Sequence, residues 1–371
     1  MTGPLPTGHR VVVHSFAESP DVAWASHMTL EPMEPPDVAT LGPRDVLIRV
    51  ASAAVGWVDL LMSSGQYQHT AQPPYTPGLE SAGTVAWKGP QARADLHEGA
   101  AVLVDGLLAG PRSLGAYQRW GGFATYVVAP DHAVLPLPAT ISRDQAAGML
   151  GAYETAYHAL VARGRVQAGE TVLIHGAAGA TGLAAVEVAK LLGATVIATG
   201  RSPAKLQVVQ DHGADHLIEL ATENGGLRPF RDEVKRLTAG RGVDVVYDPV
   251  GGDVSGESLR CVRFGARFLI VGWASTPAVA HGKGGRGAPN ANHLPTNLMM
   301  MKGLDVLGCP TAIATAVDPR IRAPRLCQVM QWAVAGQIRP HVSHVFGLDE
   351  FREALRCKWQ GEVVGGCVVR P

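Results

Sequence analysis

The feature that most narrows the fold of this chain is a short apolar run set directly against evenly spaced glycines. The stretch VLIHGAAGATG, residues 172–182, places Gly176, Gly179 and Gly182 three apart, just after β-branched and apolar residues. Residues 170–175 read as a fully buried strand, and 183–192 carry helical spacing and strong helix formers. Three glycines alone also fit an ordinary strand–turn–helix. The setting separates the two readings, because a second apolar strand follows at 194–200. In such a unit the glycines permit a tight turn and a close approach of the backbone to a pyrophosphate, which rests on the helix N-terminus. Gly176, Ala177, Gly179, Ala180, Thr181 and Gly182 are therefore the expected dinucleotide-binding residues.

The alternation continues. Helical patterns at 203–212, 229–238 and 253–262 precede apolar strands at 216–220, 243–251 and 266–273. Buried strands alternating with helices imply α/β architecture, a doubly wound parallel sheet of the Rossmann type. Ligands of such sheets bind outside the strand carboxyl ends. Val250, Gly251, Val271 and Gly272 lie there and are expected at the cofactor, with Trp273 beside the substrate. The second strand ends at Gly200, which is also expected at the cofactor. An NAD site wants an acidic residue near this point, but none occurs between Lys190 and Asp211. Arg201, Ser202 and Lys205 stand there instead, which suits the 2′-phosphate of NADPH; the alternative is a solvated basic helix start.

A chain of 371 residues exceeds one typical core. The first 150 or so residues are rich in short strands and in proline and glycine turns, and the tail after 305 is too short for a core of its own. The expected division is a β-rich domain at 1–150, the dinucleotide domain at 151–300, and a segment at 301–371 that supplies an edge strand and completes the first domain. Lys+Arg and Asp+Glu balance at 32 each, which argues against a nucleic-acid partner. No apolar run approaches the ~20 residues of a membrane span, and the first residues lack a signal-peptide core. The five cysteines, Cys261, Cys309, Cys327, Cys357 and Cys367, form an odd, scattered set, the usage of a reducing cytoplasm. Residues 305–308 form an apolar edge strand preceded by Met299, Met300 and Met301. Such an edge is covered either by a second copy, giving a homodimer, or by the helix at 349–359.

Further motifs stand in a specific order along nearly the whole chain: VGWVDLLMSSGQY, PPYTPGLESAGTV, GGFATYVVAPDHAVLPLP, ETAYHAL, LPTNLMMMKGLDVLG and GQIRPHVSHVFGLDEFREAL. With these the chain resembles the zinc-free, quinone oxidoreductase-like branch of the medium-chain dehydrogenase/reductase superfamily. The resemblance implies a GroES-like catalytic domain with the Rossmann domain inserted. Zinc-dependent relatives place a cysteine three residues before an aspartate like Asp59, a histidine within Gly-His-Glu, and a second cysteine further on. Here those positions are Gly56, Leu79 and Gly151, so no metal is expected. His281 and His293 flank a loop and read as solvent-exposed.

Gly56 and Trp57 replace the Asn-Pro of the branch, and Trp57 is expected either to fill the substrate pocket or to stack on a flat substrate. By resemblance, Asp59 and Asn297 also border the substrate, Lys302 lies near cofactor and cleft, and Thr155 faces the nicotinamide. Tyr67 matches a tyrosine that enoyl-thioester reductases use as hydrogen-bond donor; it is either that donor or a pocket wall. Two stretches, 106–120 and 281–292, look like insertions. Arg112 and Trp120 in the first either reach substrate or belong to a surface loop. Three activities remain open for a small-molecule substrate: an NADPH-dependent quinone or enone reductase, a 2-enoyl-thioester reductase, or a cofactor-binding structural or regulatory protein with little turnover.

Overall fold

A computed structural model describes residues 5–67, 69–113, 115–274 and 293–371. The loop at 281–292, with His281, lies outside them. The chain divides into two compact units, Met1–Gly151 with Pro340–Pro371, and Ala152–Arg339.

In the first unit, β1 (Gly8–Val13) and β2 (Met28–Met33) pair antiparallel. A larger sheet contains β3 (Asp45–Ala54), β4 (Ser81–Lys88), β5 (Ala101–Val104), β6 (Tyr126–Pro130) and β7 (Val134–Pro136). Strand β3 is central, pairing antiparallel with both β4 and β6. Its Val46, Ile48 and Val50 pack with Val85, Val102 and Phe123 in the core.

The second unit carries β8 (Thr171–Ile174), β9 (Thr195–Gly200), β10 (His216–Glu219), β11 (Val243–Asp248), β12 (Val262–Ile270) and β13 (Asp305–Gly308). Among the described residues they form one parallel sheet in the order β10-β9-β8-β11-β12-β13. Strands β8 and β11 are buried along their whole length, as helices on both faces require. The winding direction reverses between β8 and β11.

The chain then returns to the first unit through β14 (Val342–Gly347) and β15 (Gly366–Arg370). Strand β15 pairs antiparallel with β3, Val368 opposite Ala54. This is a GroES-like domain with an inserted Rossmann domain.

One expectation needs correction. The segment 301–371 supplies the expected edge strand, β13, but its residues up to Arg339 belong to the second unit rather than completing the first. Strand β13 extends the parallel sheet beside β12, Asp305 opposite Arg267. The helix Arg322–Val334 is held in the second unit by two buried ion pairs, Arg322 and Arg325 on Glu154, each at 2.7 Å. Only 340–371 returns. The helix near 349–359, the alternative cover expected for β13, belongs to the first unit. The helix Phe351–Trp359 buries Phe351, Ala354 and Leu355, at helical spacing, in the core of the first unit. Among the described residues, no helix is long and apolar enough to cross a membrane.

Candidate active site

The glycine turn is built as the dinucleotide reading requires. Gly176 has φ +56°, a left-handed conformation that favours glycine. Its carbonyl accepts the Gly179 N–H at 2.9 Å, closing the turn. Gly179 caps the helix Ala180–Leu191. A methyl group added at Gly182 would lie 2.2 Å from the Gly176 carbonyl oxygen and 2.7 Å from the Ala177 Cα. Only glycine there lets the helix start press against the turn, leaving its first N–H groups without intrahelical acceptors. Across the switch between β8 and β11, the same kind of added group at Gly176 would lie 3.1 Å from Val250 Cγ2.

Asp248 shapes the neighbouring rim. Its carboxylate accepts the Val250 and Gly251 N–H groups at 2.8 and 2.9 Å, and its carbonyl accepts the Val271 N–H at 2.8 Å. Gly251 is left-handed at φ +78°, and a side chain at Gly272 would lie 3.0 Å from the Pro249 carbonyl oxygen. Close backbone packing thus brings the ends of β8, β11 and β12 into one rim, which these residues fit for a dinucleotide. After β9, Arg201 is exposed, and Ser202 caps the helix Pro203–Asp211 that carries Lys205. Thr155 is half-buried on the helix Met149–Tyr157.

The first unit holds a second polar centre. Asp59 stands at the third position of the helix Trp57–Ser63 and accepts the Gly56 N–H at 2.9 Å, an aspartate closing a helix start. Its other oxygen accepts the Gly78 and Leu79 N–H groups at 3.0 and 3.1 Å. Burial pushes its carboxyl up to about 6, against the pull of these three amides and of Arg112. Glu80 accepts the Gly151 N–H at 2.6 Å. A methyl group added at Gly56 would meet Asp59 Oδ2 at 2.9 Å, and one at Gly151 would meet Glu80 Oε2 at 2.8 Å. Positions 56 and 151 thus have carboxylates where a cysteine side chain would need room, and Leu79 offers no donor atom. These residues do not fit a zinc centre.

Other expected residues fare unevenly. Trp57 neither stands free nor lines an open wall on both faces. Its ring stacks on Trp359 at 5.3 Å, with Trp24 edge-on to the same Trp359 at 6.3 Å. Tyr67 is half-buried, with its ring edge toward His69 at 6.3 Å and its carbonyl accepting the Thr70 hydroxyl. Trp120 is half-buried and packs against the core under the Arg119 guanidinium, 4.8 Å from its ring. Lys302 is away from the rim: its Nζ donates to the Val262 carbonyl, at the amino end of β12. Asn297 is exposed on the helix Thr296–Lys302, and Trp273 is half-exposed after β12.

Several groups escaped the sequence reading. His175, the last residue before the glycine turn, is fully buried, and burial pushes its imidazole down to about 4. Ser258 donates its one hydroxyl proton to Val254, so it accepts from His175 Nε2, and Nδ1 accepts from Thr199. Neutral His175 therefore ties β9 to the helix Asp253–Ser258. Glu187, Glu154 and Tyr75 were also missed. No periodic pattern marks a buried polar residue whose partners lie far along the chain.

Comparisons with known proteins agree with this layout. Residues 42–139 match the alcohol dehydrogenase GroES-like domain, and 180–319 match the zinc-binding dehydrogenase family. The chain is 31% identical over 331 residues to a quinone oxidoreductase-like protein 2 homolog of Nematostella vectensis, covering 89% of this chain and 82% of that one. A probable oxidoreductase from Mycobacterium abscessus superimposes with a TM-score of 0.78 at 27% identity, covering 99% of this chain and all of the other. The quinone oxidoreductase of Thermus thermophilus, solved alone and with NADPH, gives 0.70 at 26% identity, covering 98% of this chain and all of the other.

Proposed function

This chain belongs to the quinone oxidoreductase branch of the medium-chain dehydrogenase/reductase superfamily and is an oxidoreductase, and from that premise we propose that it reduces a quinone or enone with NADPH and without a metal. One observation carries the reading: the carboxylates of Asp59 and Glu80 are spent on backbone amides at the positions where a metal would need side-chain ligands. NADPH, when bound, supplies a hydride. The residues of this chain do the rest. The turn from Gly176 to Gly182 receives the pyrophosphate at the helix N-terminus. Arg201, Ser202 and Lys205 hold the 2′-phosphate. Thr155, Val250, Gly251, Val271 and Gly272 border the nicotinamide half. Trp57, Asp59, Trp273 and Asn297 border the substrate, and Tyr67 donates a hydrogen bond to its oxygen. The Thermus relative's complex with NADPH supports the cofactor assignment.

The test is a screen of NADPH oxidation against quinones, enones and enoyl-CoA thioesters, with and without chelator, alongside elemental analysis. Turnover of quinones or enones that survives chelation supports the reading. Turnover of thioesters alone, or about one zinc per chain, overturns it.

We also propose a homodimer in the cytoplasm. Among the described residues strand β13 is a sheet edge; Phe264 on the neighbouring β12 is 73% exposed, and Met300 and Met301, shortly before β13, are 74% and 57% exposed. A mass near the monomer's 38.9 kDa in light scattering rejects the dimer.

A further inference from the structure

One imidazole ties the walls of the dinucleotide rim together. His175 stands between β8 and the glycine turn and is fully buried. Its backbone N–H donates to the Tyr247 carbonyl on β11 at 3.0 Å. Its ring reaches two further elements. Nδ1 accepts the Thr199 hydroxyl at 2.8 Å, and Nε2 donates to the Ser258 hydroxyl at 2.6 Å. The Phe230 ring stands edge-on at 5.4 Å. The buried imidazole stays neutral at ordinary pH, which leaves Nδ1 as the acceptor.

Thr199 is the important partner. It is fully buried, immediately before Gly200 and two residues before Arg201. Its carbonyl accepts the Ala177 N–H of the glycine turn at 3.2 Å, a longer bond than the 2.9 Å one that closes the turn itself. Two hydrogen bonds therefore fix the end of β9 to the residues around the turn, and the shorter is the one to His175. On the other side, Ser258 ends the helix Asp253–Ser258. Ser255 of that helix donates to the Asp248 carboxylate, which also accepts the Val250 and Gly251 N–H groups. Without His175 the Thr199 hydroxyl would be a buried donor with no acceptor on the ring, a cost that the end of β9 relieves by moving.

We propose that His175 is a positioning residue for cofactor selectivity: by holding Thr199, it places Arg201 and Ser202 relative to the glycine turn so that a nucleotide bearing a 2′-phosphate spans the two. It touches no ligand itself, since the ring is buried and both its nitrogens are committed. Charge-assisted hydrogen bonds to a phosphate are short and directional, so a small displacement of the strand end costs them first. The proposal rests on the NADPH reading above.

The probes are adenosine 2′,5′-bisphosphate and adenosine 5′-phosphate, which differ only in the 2′-phosphate, each titrated calorimetrically into the full chain. Wild type is expected to prefer the bisphosphate at least ~10-fold. His175→Phe keeps an aromatic ring beside Phe230 and removes both ring hydrogen bonds; it should reduce the preference to about 2-fold or less. Thr199→Val, which removes only the hydroxyl, should do the same. The double variant should go no lower, because both changes break one link. His175→Asn, whose amide oxygen is an acceptor for Thr199, should keep part of the preference. A merely structural His175 would lower the melting temperature of its variants and leave the folded protein at the wild-type ratio. Preference retained in Thr199→Val or His175→Phe overturns the positioning role alone, with Thr199→Val deciding if His175→Phe does not fold. A wild type that binds both nucleotides equally overturns the NADPH reading together with the selectivity assigned to His175.

Discussion

Two buried carboxylates, Glu187 in the second unit and Asp59 in the first, meet opposite treatment. Around Glu187 the donors are matched. It takes the Tyr153 hydroxyl at 2.7 Å, the Arg339 N–H at 2.9 Å and the His212 Nδ1 at 2.6 Å. Asp59 takes three amides, while elsewhere in the first unit the Arg112 Nε and the Tyr75 hydroxyl are buried with no hydrogen-bond partner among the described residues. A saturated polar network rigidifies a fold. Donors left without an acceptor add no such cross-links, and that difference separates the two units' buried polar groups.

The largest effect should come from breaking the saturated network. Glu187→Ala leaves a buried phenol and amide unpaired and should cost about 3–5 kcal/mol in denaturant unfolding. A loss under ~1 kcal/mol would mean that water serves Tyr153 equally well.

Asp59 should show itself through pH. Its folded carboxyl titrates at about 6, above the ordinary carboxylate value, so the folded chain holds that proton more tightly than the unfolded one. Stability should therefore fall as pH rises from about 4 to about 6, by roughly 3 kcal/mol, and then level off. Asp244 behaves oppositely. Against the cost of burial, Arg241, the Thr171 amide and Arg263 hold its carboxyl below the usual range, so its contribution is lost as pH falls. Asp59→Asn should remove the descent between pH 4 and 6 in a series of urea melts. An unchanged descent would assign it elsewhere.

The two tyrosines give a smaller and sharper contrast. Tyr153→Phe removes a hydrogen bond to a carboxylate and should cost about 1.5–3 kcal/mol. Tyr75→Phe removes an unpartnered hydroxyl and should be neutral or slightly stabilising. Equal losses would erase the distinction between the networks.

The smallest loss is expected at exposed Arg201, the proposed contact of the 2′-phosphate. Arg201→Ala should weaken NADPH about 10-fold, near 1.4 kcal/mol, and leave NADH unchanged. Direct titration of both nucleotides decides it.

The glycine turn was legible because its information is local. Gly176, Gly179 and Gly182 act through backbone shape within one turn, and strands β8 and β11 announce their burial by being apolar throughout. A motif whose parts are consecutive leaves its mark in the string of residues. The resemblance to known dehydrogenases extended that reading to the vacated positions Gly56, Leu79 and Gly151. What filled them was not legible. The Asp59 carboxylate reaches Gly78 and Leu79, 19 and 20 residues away, and Glu80 reaches Gly151 across 71. The boundary at 339 followed from Arg322 and Arg325 meeting Glu154 across 168 and 171 residues, and Trp57 found Trp359 from the opposite end of the chain. A side chain recruited over such separations leaves no period in the sequence. Its partner is chosen by which buried groups the packed chain brings within hydrogen-bonding distance, and only the tertiary structure decides that.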